Sequence, residues 1–534
     1  MQKDAFEMSI LGIFIRKTAI AGVLLLLFLG AISTANAIAE TGPLELADFS
    51  TFLGGTGDDH MDVAFSFGST VVDSKGNIIV VGRTTSTDFP LKYAFQDHVN
   101  GYSDGTISKF HPNGSLLFST YFGGSSQELI TDVAVDSEDN IIIAGITGSS
   151  DLPLMDALQS TFMGGSADGF IAKFSEDGQS LLFSTYFGGT VNDWIYTMNV
   201  DSNDRIAISG ATTSTDFPLL NPYQDTNSGA LDIFLSFFEA DGQSLLFSTY
   251  LGTTGIDHGR RIGFDSQGNI LLTGIAAVGD LATEGAYQDE HAGGASDAYL
   301  AKFDTAGALV YFTFLGGAST EWGNDLAVDS EDNVVITGFT MSDDFPILNS
   351  YQDERVQEYD MFITKFTPDG QSVVFSTYMG GSSTDFGNAI TIDPQDRIIV
   401  TGQTKSADFP TTLSYESTES YHNNVTLVVL NKDGSLLLSM IIGGANNDVG
   451  IGVAWHSEDK FIVVGYTASA DFPVCEACQG TYGGEYDMFI MKMDLQGLID
   501  IPQDGFTIGP LEVGIALGTI AVVLLLIFVR KRAG

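Results

Sequence analysis

From residue 46 to residue 493 the chain is written in short apolar runs rich in β-branched and aromatic residues, each closed by Gly, Asn or Asp. Such runs predict strands, and the Gly/Asn/Asp punctuation predicts tight turns. Thr131–Asp136, Ile141–Ile146, Gly169–Phe174 and Leu181–Phe187 form one set of four. A tight turn joins the first run to the second and the third to the fourth, whereas a longer stretch separates the second from the third. No segment between the termini sustains a helical period, so the body of the chain is predicted to be all-β.

The set of four repeats. The phrase Phe118–Gly124 (FSTYFGG) returns from Phe183, Phe247 and Phe375, with weaker copies from Phe49, Tyr311 and Leu438. Successive spacings are 69, 65, 64, 64, 64 and 63 residues. Four-stranded antiparallel units repeated seven times predict a β-propeller. Coils of a β-solenoid are shorter, and tandem sandwiches need longer copies with linkers. The series opens on a fourth-strand phrase, Leu46–Leu53, and ends on a third-strand phrase, Asp487–Met493. The N-terminal strand is therefore expected to complete the last blade and close the ring, which removes the open edges. The innermost strands are expected to start near Met61, Thr131, Tyr196, Arg260, Asn324, Asn388 and Gly450.

Four phrases in fixed order, FSTYFGG (118–124), AVDSEDNIIIAG (134–145), TSTDFP (85–90) and AYQD (286–289), resemble the SBBP β-propeller repeat over Leu46–Met493. The resemblance implies a propeller on a secreted or surface protein. It brings no reaction and no catalytic residues.

Both ends read as addresses. Arg16 and Lys17 precede an apolar run, Ala19–Ile32, and small residues up to Ala37, which predicts a signal peptide over 1–37. Near the other end, apolar Val513–Val529 is followed at once by Arg530-Lys531-Arg532. That pattern predicts a transmembrane helix over 511–529 with a cytoplasmic tail, 530–534, after a linker, 494–510. The expected product is a single-pass membrane protein with its propeller outside the cell. By strand parity both chain ends fall on the tight-turn face. The long-loop face then points away from the membrane, where loops carry function.

Charge narrows the partners. The chain has 534 residues, 22 Lys+Arg against 68 Asp+Glu, and a formal charge of −46. A phosphate-neutralising surface needs the opposite balance, so nucleic acid is excluded as a partner. The expected partner is a cell-surface glycan or a protein.

Candidate chemistry divides into repeated and unrepeated positions. Asp59, Glu128, Asp193, Asp257, Glu321, Asp385 and Asp448 recur five residues after the first Gly of the FSTYFGG phrase. Asp88, Asp151, Asp216, Asp280, Asp344, Asp408 and Asp471 recur in the long loops. The first set is a candidate carboxylate ring for Ca²⁺; the alternative is that each acid accepts hydrogen bonds from its own turn. Among unrepeated residues, Trp194 and Trp322 are candidate stacking platforms or plugs between blades. His60, His258, Arg260 and Arg261 join them as candidate ligand-face residues, the arginines with Asp257 as an internal counter-charge. Cys475 and Cys478 supply only two of the four ligands of a zinc site, and a local disulfide is the expected pairing. No catalytic motif is present: Gly101–Gly105 fits G-x-S-x-G in letters but leads into a strand. A binding or adhesion module is the leading reading. A polysaccharide hydrolase or lyase and a passive cell-coat protein are the alternatives.

Overall fold

The computed structural model describes residues 47–60, 69–413, 422–457 and 459–500. The expected signal peptide, transmembrane segment and tail lie outside these residues, as does the expected strand start at Met61. Among the described residues no helix is long and apolar enough to cross a membrane.

Seven antiparallel sheets surround one axis. The second blade shows the pattern: Glu128–Val135 innermost, then Ile141–Thr147, Asp168–Phe174 and, outermost, Leu181–Phe187. The seventh blade takes its outermost strand from the other end of the chain. Ala47–Leu53 pairs antiparallel with Asp487–Asp494, Leu53 opposite Met488 and Ala47 opposite Met493. The ring closes as the sequence predicts, and both ends of the described ring lie on the tight-turn face. The first residues read as linker are ordered on that face. A short helix, Leu495–Ile499, is capped by the Asp494 carboxylate and buries Leu495 and Leu498 beside the seventh blade.

Apolar residues of neighbouring blades interdigitate, which accounts for the repeated phrases. The leading Phe of each FSTYFGG copy packs on a turn glycine of the next blade: Phe118 on Gly178, Phe183 on Gly242 and Phe375 on Gly434. Those glycines have φ of 68°, 66° and 87°, and a Cβ at Gly242 would lie 2.3 Å from the Phe183 ring. Only glycine meets both demands. The Tyr of the phrase is buried, and its hydroxyl donates to a carbonyl of the long loop (Tyr186 to Ser149, 2.8 Å; Tyr250 to Ser214, 2.7 Å).

Two expectations need correction. The innermost strands begin at the repeated acid or next to it, at Glu128, Asp193, His258, Glu321, Asp385 and Asp448, two or three residues early. A β-bulge then interrupts each, for example between Ile130 and Asp132 and between Gly323 and Asp325. The extra residue breaks the alternation that would have marked the strand. The long loops, moreover, do not all stand on their face. They leave it and run down the circumference, where Lys92, Met155, Leu220, Leu348 and Cys475 bridge to Ser119, Ser184, Ser248, Ser376 and Ser50 of the outermost strands. The loops thus cover edges that would otherwise be free to pair with another chain.

Candidate functional site

The repeated acids of the innermost strands lie fully or almost fully buried at the long-loop end. Asp193 accepts from the Gly189 N–H (2.7 Å), the Thr212 hydroxyl and the Ser214 hydroxyl (2.9 Å). Asp59, Asp385 and Asp448 accept the same three kinds of donor. Glu128 and Glu321 accept from Gly124 and Thr147 and from Gly317 and Thr340. Asp257 uses Thr253 and Ala277 instead. The candidate ring is therefore seven carboxylates turned into their own blades. The loop acids close the connection from blade to blade: Asp88, Asp151, Asp216, Asp344, Asp408 and Asp471 accept the N–H of Thr56, Ser125, Thr190, Ala318, Ser382 and Ala445 at 2.8–3.0 Å.

The unrepeated residues gather in two arcs around the axial opening. Register places each residue after the repeated acid opposite the next-to-last residue of the second strand: His60 opposite Arg83, Trp194 opposite Ala211, Trp322 opposite Phe339, Phe386 opposite Gln403 and Val449 opposite Tyr466. In the fifth and sixth blades this builds an aromatic arc. Trp322 and Phe339 have centroids 5.1 Å apart, Phe339 stacks on Phe386 at 4.6 Å, and Tyr359 meets both Phe339 (5.3 Å) and Phe386 (5.5 Å) edge-on. Trp322, Phe386 and Tyr359 remain half-buried. Trp194 stands two blades away, also half-buried, so the two tryptophans do not form one platform.

Where the seventh blade meets the first, a polar arc forms. His60 Nδ1 lies 3.0 Å from Asp58 Oδ1, and Arg83 Nη2 lies 3.0 Å from His60 Nε2. Tyr466 and Tyr486 flank the imidazole, with centroids 5.9 and 6.1 Å away. The His60 side chain holds Asp58 below the usual carboxylate range. Sequence reasoning found His60 but missed Asp58, two residues away, Arg83, which register sets opposite it, and Tyr466 and Tyr486, which ring closure brings from the seventh blade.

Deeper in the ring, Tyr196 stacks on His258 at 5.6 Å, and the Arg260 guanidinium covers the Trp322 ring at 4.4 Å. Burial, helped by Arg260, pushes His258 down to about 3, so its imidazole is neutral at ordinary pH. Asp257 is not the counter-charge of the arginines. The bulge after Gly259 turns Arg261 toward the axis, where it meets Asp132 (3.0 Å) of the second blade and Asp325 (2.9 Å) of the fifth. Bulge residues elsewhere tie blade to blade, as Asn324 does to the Gly387 carbonyl and Asn388 to that of Gly450, both at 2.9 Å.

No disulfide joins Cys475 to Cys478, where the sequence led us to expect one. The reason is the loop's descent: backbone pairing with Ser50 holds Cys475 against the N-terminal strand, its Sγ 3.7 Å from the Ala47 carbonyl, while Cys478 is exposed. Ser103 of the G-x-S-x-G letters is buried just before the strand Asp104–Phe110, with no elbow to present it.

The architecture is that of an all-β, seven-bladed propeller of four-stranded antiparallel blades. The SBBP β-propeller repeat matches residues 374–410, from the outermost strand of the fifth blade to the Asp-Phe-Pro of the sixth. The chain thus carries an SBBP-type β-propeller repeat within its seven-bladed ring. It is 23% identical over 315 residues to an uncharacterized WD repeat-containing protein of Acanthamoeba polyphaga mimivirus, covering 49% of this chain and 20% of that relative's length. Two solved structures share its outline. One is an ulvan lyase of the PL25 polysaccharide lyase family, bound to a sugar (TM-score 0.42, 10% identity, 78% of this chain, 93% of that one). The other is a second polysaccharide lyase (TM-score 0.42, 9% identity, 84% and 98%). Likeness at that level carries no argument about activity.

Proposed function

We propose that this protein is a binding module whose ligand docks at the axial opening of the long-loop face. In this reading the apolar C-terminal segment tethers the ring to a cell membrane from its tight-turn face. The carrying observation is the aromatic arc Trp322–Phe339–Phe386–Tyr359, absent from the repeated pattern, in which Trp322, Phe386 and Tyr359 stay half-buried around buried Phe339. Rigid aromatic faces lose little entropy on binding and suit the apolar face of a sugar ring or an apolar protein side chain. The charge of −46 opposes a polyanionic ligand at low ionic strength, which favours a neutral glycan. The test is a glycan array on the purified protein. Binding that Trp322→Ala abolishes and Trp194→Ala leaves unchanged supports this site, and binding indifferent to Trp322→Ala refutes it.

The polar arc favours a second reading, a hydrolase or lyase acting on polysaccharide. Asp58 fixes the tautomer of His60, and Arg83, Tyr466 and Tyr486 surround the imidazole, a set capable of proton transfer. Release of reducing or unsaturated sugar ends that His60→Ala abolishes, with binding intact, would favour this reading over binding alone.

A further inference from the structure

At the long-loop end of each junction the repeated acid of one blade meets the first residue of the third strand of the blade before it. The pairs are Asp104 with Glu128, Asp168 with Asp193, Asp232 with Asp257, Asp297 with Glu321, Asp360 with Asp385 and Asp487 with Asp59. The first glycine of the Gly-Gly step lies between them. A Cβ on Gly316 would stand 2.6 Å from Asp297 Oδ1 and 2.7 Å from Glu321 Oε2; on Gly54 it would stand 2.5 Å from Asp487 Oδ1 and 3.0 Å from Asp59 Oδ2. Both acids of every pair are at most 1% exposed.

In five of the pairs the third-strand acid has one oxygen, Oδ1 of Asp168, Asp232, Asp297, Asp360 or Asp487, that is buried without a hydrogen-bond partner. The other groups facing the pairs do not supply a neutralising cation. Asp216, Asp344, Asp408 and Asp58 add negative charge. Asp257 has only neutral donors beside it. Arg355 near Asp360 is engaged with exposed Asp343, His98 stands near Asp104, and His291 Nε2 lies 3.5 Å from Asp297 Oδ1, its charged form disfavoured by burial. The tyrosines Tyr121, Tyr186, Tyr250, Tyr299, Tyr378 and Tyr482 also face the pairs. The seventh junction is a natural control: Asn424, the neutral isostere of Asp, faces Asp448, and its Oδ1 is also without a partner.

Two buried carboxylates with no cation between them cannot both stay ionised. A metal ion would need several free oxygen ligands, but the first-strand acids already spend theirs on Gly, Thr and Ser donors. We infer that each of the five junctions holds one proton between its two carboxyl groups, so that the ring is closed at its long-loop end by acid–carboxylate pairs and is most stable in a mildly acidic medium. Burial, with the facing carboxylate adding to it, pushes Asp168, Asp297 and Asp360 up to about 7 and Asp232 and Asp487 to about 6. An unfolded carboxyl group titrates at 3.8. Between these limits the folded chain binds more protons than the unfolded one, so stability falls as pH rises.

The test is thermal unfolding of the full-length protein at fixed ionic strength, from about pH 5.5 to about pH 8. The wild-type melting temperature should fall by about 5 °C or more across that range. Asp168→Asn with Asp232→Asn should raise it at the alkaline end, flatten the slope and remove part of the infrared carbonyl band of protonated carboxyl groups. Asn424→Asp should steepen the slope. A wild-type melting temperature that is flat or rises with pH would overturn the proposal, as would Asn variants destabilised at the alkaline end with an unchanged slope. A calcium-induced rise in melting temperature at the alkaline end, lost in the Asn variants, would replace the proton by a metal ion and overturn it equally.

Discussion

The two ends of a blade treat the same residue in opposite ways. At the tight-turn end Asp73, Asp136, Asp201, Asp265, Asp329 and Asp393 are buried, yet each meets a cation. Lys109 (2.9 Å), Lys173 (2.6 Å), Lys302 (2.7 Å) and Lys365 (2.7 Å) reach four of them from the third strand, and Arg205 and Arg397 reach the other two. Burial opposes ionisation, but the cation and the turn N–H groups outweigh it and hold Asp73, Asp136, Asp201, Asp265 and Asp329 below the usual range. At the long-loop end burial is deeper, at most 1% exposed against 3–7%, and the cation is missing, so the shift is upward. The difference teaches that burial alone does not set the charge of an Asp in this ring. The group that arrives from another strand does.

The contrast predicts its largest effect at low pH. The carboxylates of Asp73, Asp136, Asp201, Asp265 and Asp329 have lowered folded values, so their contribution is complete above the ordinary carboxyl value of 3.8 and disappears as pH falls through the folded values. Acid should therefore unfold the protein cooperatively below about pH 3, as followed by far-UV circular dichroism. Persistence of the native spectrum at about pH 2 would mean that these pairs do not carry the ring. Removing one cation is the single-site version. Lys365→Met leaves Asp329 buried without its partner and should cost about 3–5 kcal/mol in urea unfolding at neutral pH. A cost below about 1 kcal/mol would show that the turn N–H groups suffice.

The long-loop end is challenged next, through crowding. Gly316→Ala drives a Cβ to within 2.7 Å of two carboxylate oxygens and should cost about 2–3 kcal/mol by the same assay. Gly480→Ala is the control, since a Cβ there meets nothing within 4 Å and should leave the midpoint unchanged.

These contrasts explain how much of the fold is legible in the sequence. Seven copies of a four-strand phrase, with a fourth-strand phrase leading and a third-strand phrase last, carried the blade count and the closure, because phrase order identifies each strand. Asp168 and Asp193 were equally visible as letters, but their meeting depends on a junction between two blades. The aromatic arc was half visible: Trp322 and its unrepeated neighbours could be named, whereas the meeting of Phe339, Phe386 and Tyr359 with it depends on register across two blades. The bulges hid the true strand starts by breaking the alternation at Thr131 and Asn324. The descent of the long loops rests on backbone pairing, such as Leu220 with Ser248, which leaves no side-chain signature.

The smallest effect should come from exchanging the source of the cation. Where the third strand carries Lys, the residue four after the tight-turn Asp is Asn77, Asn140, Asn269 or Asn333. Where it carries Phe237 or Val429 instead, that residue is Arg205 or Arg397. In both designs one cation meets the Asp, delivered from different strands, so either should serve. Arg397→Asn alone strips Asp393 of its partner, and Arg397 also bonds Asp459 of the seventh blade, which loses that contact. Adding Val429→Lys should return the missing charge along the route used by Lys365. The double variant should then unfold within about 1 kcal/mol of wild type, the residue being the lost contact to Asp459, which is worth little at a half-exposed site. Failure of the lysine to rescue would mean that the third strand of the sixth blade cannot present a charge to its own turn, and that the two designs differ in more than the origin of the cation.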